Sequence, residues 1–150
     1  MENDITIEGS VATWVMERTD GDLGGTYTGT FQFRCYLTPL QQLQAGREFR
    51  ELLGSFANQA TETEIKLSLA LTQLKHKILK APPFWSSTLE ESGISGNIGD
   101  MNIIAAVSNA SIRAEEMYLE RIQKERNDLL DKSIKLAEEK MQKRAEDEKP

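Results

Sequence analysis

The last third of the chain limits its fold most. From about Asp100 to Lys149 it reads as one long helix. Ile103, Val107, Ala110, Ala114 and Met117 recur at alternating steps of four and three, the spacing of a coiled-coil seam. Beyond Tyr118 the stripe thins to Ile122, Leu129 or Leu130, Ile134, Ala137 and Met141, and mixed charge crowds the rest of the surface. Glu120–Lys124, Asp128–Lys132, Asp131–Lys135 and Glu139–Lys143 place an acid four residues before a base, and each such pair supports a helix by about 0.2–0.5 kcal/mol. A helix of roughly fifty residues is about 70 Å long, with more surface than so small a chain can cover. Such an element argues for a partner, a second copy or another protein, rather than for a reaction. Asp100 is placed to cap it, and Glu146 to Pro150 should fray.

The chain has 150 residues, enough for one domain with a protruding element. Its 39% hydrophobic content is below that of an average globular chain, and the long polar helix accounts for the deficit. The net charge of −6 disfavours nucleic acid as a partner, because phosphate binding needs Lys and Arg to displace counterions. From Arg113 to Lys149 the charges nearly cancel, so the negative excess lies upstream and neither half is a basic patch. Cys35 is the single cysteine and can make no internal disulfide. Met1-Glu2-Asn3-Asp4 lacks the basic start and apolar run of a signal peptide. No apolar stretch approaches the length of a membrane span. These features fit a reducing cytoplasm and no membrane partner.

Residues 1–9 read as a loose lead-in. Val11 to Glu17 is rich in β-branched and aromatic residues and reads as a strand. The cluster Thr19-Asp20-Gly21-Asp22-Leu23-Gly24-Gly25 is turn chemistry. From Tyr27 to Tyr36 the residues alternate, with Tyr27, Phe31, Phe33 and Cys35 on one face and Thr28, Thr30, Gln32 and Arg34 on the other. The two strands make a β-hairpin whose apolar face must be covered by helices or by a partner's strand. Thr38 and Pro39 then open a helix that Gly54 ends, with Gly46 marking a kink or a close contact. Thr61 and Glu64 have capping-box spacing, and Leu67, Ala70, Leu71, Leu74 and Ile78 give the second helix a core face. Ala81-Pro82-Pro83 stops it, and Phe84 and Trp85 follow on an extended segment. Residues 86–99 are rich in Ser and Gly and read as a linker.

The reactive residues do not form a catalytic set. His76 is the only histidine and lacks the nucleophile and orienting acid that general base work requires. Cys35 lies on the apolar strand face, where a thiol behaves as a small hydrophobe. Asp20-Gly21-Asp22 lacks the further oxygens and the distal glutamate of a calcium loop. One Cys and one His do not complete a zinc shell in a monomer. The glycine clusters at 21–25 and 93–99 lack the lysine and the strand–turn–helix setting of a phosphate loop. No catalytic, cofactor-binding or metal-ligating residue is assigned. The run Arg47-Glu48-Phe49-Arg50-Glu51 reads as a solvated helix face with local ion pairs, or as a recognition patch. Trp14, Trp85 and Tyr118 read as core, or as interface anchors.

One set of spaced residues resembles a known family. It comprises Tyr27-Thr28-Gly29-Thr30-Phe31, Arg34, Leu37-Thr38-Pro39, Arg47, Arg50-Glu51-Leu52-Leu53-Gly54 and Pro82-Pro83-Phe84-Trp85. Together they are similar to small assembly proteins of tailed bacteriophages, most of all tail-assembly chaperones. The resemblance covers about residues 10–86, and the helix from Asp100 onward lies outside it. It implies a short β element before helices, and a product that binds the tape-measure protein during tail building in the host cytoplasm. It carries over no catalytic residue.

The expected fold is therefore α+β: an N-terminal antiparallel β-hairpin packed on two helices over 1–85, a Gly/Ser linker over 86–99 and a long charged C-terminal helix over 100–150. The expected function is non-enzymatic and chaperone-like, binding an elongated helical partner. The alternatives are a structural virion protein forming an oligomeric ring or collar, and a small regulator of a host protein. The expected partner-binding residues are Ile103, Val107, Ala110, Ala114 and Met117 on the helix and Tyr27, Phe31 and Phe33 on the hairpin. On that reading, Val107→Asp weakens partner binding and leaves the hairpin domain folded.

Overall fold

The computed structural model describes residues 4–86 and 101–148. The chain divides into two units, Met1–Glu116 and Met117–Pro150. The fold is α+β. An antiparallel sheet is formed by β1 (Ile5–Glu8), β2 (Val11–Asp20), β3 (Thr26–Arg34) and β4 (Ile78–Lys80), in the order β1-β2-β3-β4. The helices are α1 (Pro39–Leu53), α2 (Glu62–Lys77), the single-turn α3 (Pro83–Ser86) and α4 (Met101–Asp147).

The hairpin of the sequence reading is β2 and β3, and the sheet extends it on both edges. Residues expected to be a loose lead-in contain β1, which pairs Glu8 with Val11 and Ile5 with Trp14. Gly9 makes this possible: its φ of +62° suits the first central position of a tight two-residue hairpin turn. On the other edge, β4 follows α2 directly and sets Ile78 against Phe33. Within the hairpin, Trp14 faces Phe31 and Ala12 faces Phe33, so one face is apolar. Gly21 N donates to Gly25 O at 2.6 Å to close the turn between them.

The helix starts follow their side chains. Thr38 Oγ1 accepts from Gln41 N at 3.3 Å while Gln41 Oε1 accepts from Thr38 N at 3.0 Å, a complete capping box before Pro39. Gly54, at φ +67°, ends α1. Thr61 Oγ1 accepts from Glu64 N at 3.2 Å and starts α2.

The core face of α2 differs from the expected one. Leu74 is buried, but Leu67, Ala70 and Leu71 are only half-buried, and the other buried positions are Ser68, Thr72 and Lys77. Thr72 tolerates burial because its hydroxyl donates to Ser68 O at 2.9 Å, within its own helix.

An aromatic cluster fills the centre of the first unit. Phe31 lies 5.5 Å from Trp14, 5.8 Å from Phe33 and 5.8 Å from Trp85, centroid to centroid. Phe84 and Trp85, expected on an extended segment, sit on α3, whose turn is closed by Trp85 N donating to Pro82 O at 3.0 Å. Gly29 lets this segment approach: a Cβ there would stand 2.5 Å from Pro82. The two ends of the sequence resemblance, 27–31 and 82–85, are thus neighbours in space.

The start of α4 belongs to the same unit. Ile103, Ile104, Val107, Ala110 and Ala114 are buried. The compact unit therefore reaches Glu116 instead of stopping at residue 85. The expected linker, apart from Ser86, and the Asp100 cap lie outside the described residues. At the far end α4 runs through Asp147, with Glu148 N donating to Arg144 O at 3.0 Å where fraying was expected. Lys149 and Pro150 lie outside the described residues.

Candidate protein-binding surface

The residues expected to meet a partner are mostly the protein's own interior. Ile103, Val107, Ala110, Ala114, Phe31 and Phe33 are all buried within the first unit. The seam spacing of α4 was real, but its first turns close an intramolecular core. Tyr27 is half-buried with its ring edge-on to Phe84 at 5.1 Å. Met117 is half-buried and begins the second unit. Trp14 and Trp85 are core residues. Tyr118 is half-buried beneath the Arg121 guanidinium, 5.7 Å from the ring centre.

Two clefts lie between α2 and α4 inside the first unit. One, of about 300 Å³, is lined by Leu69, Leu74, Lys77, Ser111, Ile112 and Glu115 among others. The next, of about 340 Å³, is lined by Leu67, Met101 and Ile104 among others, and the two share Lys66, Ala70 and Ser108. They form one apolar furrow along the helix pair. Leu69 is 46% exposed and Ile112 49% exposed, so the lining of one cleft keeps two branched apolar side chains partly in water. Both stand off the main apolar stripes of their helices, and that displacement was the signal available in the sequence.

The furrow ends at a built ion pair. Lys77 Nζ, almost fully buried, donates to Glu115 Oε2 at 3.1 Å. A lysine so placed needs its carboxylate, since an uncompensated buried charge costs several kcal/mol. Ser111 Oγ, also buried, has no hydrogen-bond partner among the described residues. Apolar walls with a few fixed polar groups suit recognition of an amphipathic segment.

The run at 47–51 divides its work. Arg47 and Glu51 pair in solvent on α1 at 3.2 Å. Glu48 instead turns to α2, its Oε1 accepting from Lys75 Nζ at 3.0 Å and its Oε2 lying 3.0 Å from His76 Nε2. His76 is therefore part of a helix–helix clamp. Burial pushes the Glu48 carboxyl up, but hydrogen bonds from Lys75 and His76 and the attraction of their charges outweigh it, holding Glu48 below the usual glutamate range. A carboxylate with a depressed folded pKa contributes stability that is present above its unfolded value, about 4.3, and lost as pH falls through the folded one. Glu48→Gln is expected to destabilise the protein by roughly 1 kcal/mol at pH 7. Urea unfolding at a series of pH values should show that deficit shrink on acidification, as the pH falls from the unfolded value through the lower folded one.

Among the described residues no three His, Cys, Asp or Glu side chains cluster to hold a metal ion, and no helix is long and apolar enough to cross a membrane. Comparison with family models, with curated proteins and with solved structures gives no match.

Proposed function

We propose that the protein is a non-enzymatic assembly factor of a tailed bacteriophage, acting in the host cytoplasm as a tail-assembly chaperone. In this reading the furrow between α2 and α4 receives a helical segment of an elongated, tape-measure-like partner. The observation that carries it is the exposed apolar lining at Leu69 and Ile112, bounded by the Lys77–Glu115 pair. The sequence resemblance adds support, because its segments 27–31 and 82–85 form one aromatic cluster next to the sheet.

Leu69→Glu tests it. The side chain is half-exposed, so the change should alter stability by less than about 0.5 kcal/mol. Affinity capture of the tagged full-length chain from lysate of virion-producing cells should recover a long helical tail protein in stoichiometric yield. Leu69→Glu should lose that protein while its unfolding curve stays in place. Recovery of only capsid or collar proteins, unaffected by the substitution, would favour a structural virion component instead.

A further inference from the structure

The unit Met117–Pro150 has no core of its own. Its described residues form one helix, and every one from Gln123 to Glu148 is exposed. Leu119, Leu130 and Met141 stand eleven residues apart, close to three full turns, so they share one line along the helix. Ile134 and Ala137 flank that line. Leu130 is 60% and Met141 71% exposed, which leaves an apolar face in water from Leu130 to Met141, while Gln123, Arg126 and Asn127 interrupt the line between Leu119 and Leu130.

Charge identifies what covers it. Met117 to Glu148 carries eight basic and nine acidic side chains, so this segment does not repel a copy of itself, although the whole chain has a net charge of −6. The charges are also sorted about the apolar line. Between Arg126 and Arg144, Asp131 and Glu138 follow one flank, and Arg126, Lys140 and Arg144 follow the other; Lys124 and Asp147, just outside this stretch, break the order. In a parallel pair related by a twofold along its length, the acidic flank of each helix faces the basic flank of the other. In an antiparallel pair the acidic row faces the acidic row. Flanking charges of this kind set partner and orientation in paired helices.

We propose that residues 117–148 pair, parallel and in register, with the same segment of a second copy of this chain. Leu130, Ile134, Ala137 and Met141 form the seam, and Asp131 of each copy faces the flank of the other that carries Arg126. This association is separate from the furrow between α2 and α4 and stands whether or not that furrow binds a helix.

The test is sedimentation equilibrium of the full-length chain with two variants. The wild type should sediment as a dimer at micromolar concentration. Leu130→Glu should weaken dimerisation by at least about tenfold, about 1.4 kcal/mol, with the tryptophan-detected unfolding of the first unit unchanged. Ala137→Cys should oxidise to a disulfide-linked dimer, because a parallel, in-register seam sets the two sulfurs opposite each other, whereas an antiparallel pair overlapping over all of 117–148 sets residue 137 against residue 128; Cys35 is buried and does not compete. A wild type that stays monomeric at every concentration overturns the proposal, as does one that pairs only with a different protein. Dimers that form without cross-linking through Ala137→Cys overturn it equally, since the helices would then be antiparallel or out of register.

Discussion

Val107→Asp is expected to unfold the Met1–Glu116 unit at neutral pH, not merely to weaken a binding surface. Val107 is fully buried. A carboxyl group placed there has its pKa raised by roughly 3–5 units, a penalty of about 4–7 kcal/mol against a total domain stability of about 5–15 kcal/mol. The loss depends on pH. The folded pKa lies above the unfolded one, so the destabilisation grows as pH rises between them and shrinks as acid neutralises the side chain. The molecule supplies its own probe: Trp14 and Trp85 are its two tryptophans, and both are buried in the first unit. Tryptophan fluorescence in urea should show the midpoint collapse at pH 7 and recover in part at low pH. An unchanged curve would mean that Val107 faces a partner, as its seam spacing alone suggested.

Phe31→Ala should be the most damaging truncation in the sheet, at about 3–5 kcal/mol. Phe31 is fully buried and its ring meets four others: Trp14 at 5.5 Å, Phe33 and Trp85 at 5.8 Å, and Phe84 at 6.1 Å. Its removal combines lost transfer energy with a cavity that rigid aromatic neighbours cannot collapse into. Aromatic pairs add about 0.5–1.5 kcal/mol each beyond their buried area. The near-ultraviolet circular dichroism of Trp14 and Trp85 should weaken even where the variant remains folded. Tyr27→Ala, four residues away on the same face but half-buried with one ring contact, should cost much less. Equal losses at the two positions would mean that the cluster is not organised around Phe31.

Local chemistry made several elements legible. The alternation over 27–36 predicted β3, the Asp-Gly cluster predicted its turn, and Thr38-Pro39, Gly54 and Thr61 marked helix ends through hydrogen bonds that depend on near neighbours only. The edge strands were not legible for the same reason. Ile5–Glu8 and Ile78–Lys80 are too short for periodicity to register, and β4 exists because α2 delivers Ile78 beside Phe33. Burial on α2 was misjudged because Ser68 and Thr72 are polar by residue type, yet the Thr72 hydroxyl is satisfied inside the helix. The α4 stripe carried a different ambiguity. A step of four and three says that a face is buried, but not whether the chain that buries it is its own. Residues 103–114 go into the protein's own core, whereas the thinner stripe beyond Met117 is the one left in water. The furrow depends on tertiary packing, because Leu69 and Ile112 lie far apart in sequence and meet only where α2 and α4 line one cleft.

We propose two fates for one helix: the α4 face before Glu116 is closed within the monomer, and the face after it by a second copy. Hydrogen exchange of the full-length chain across a dilution series tests both halves at once. Amides of residues 103–114 should exchange slowly at every concentration, and those of 119–141 should become protected only as concentration rises through the dimerisation range. Rapid, concentration-dependent exchange at 103–114, or exchange at 119–141 that ignores concentration, would contradict it.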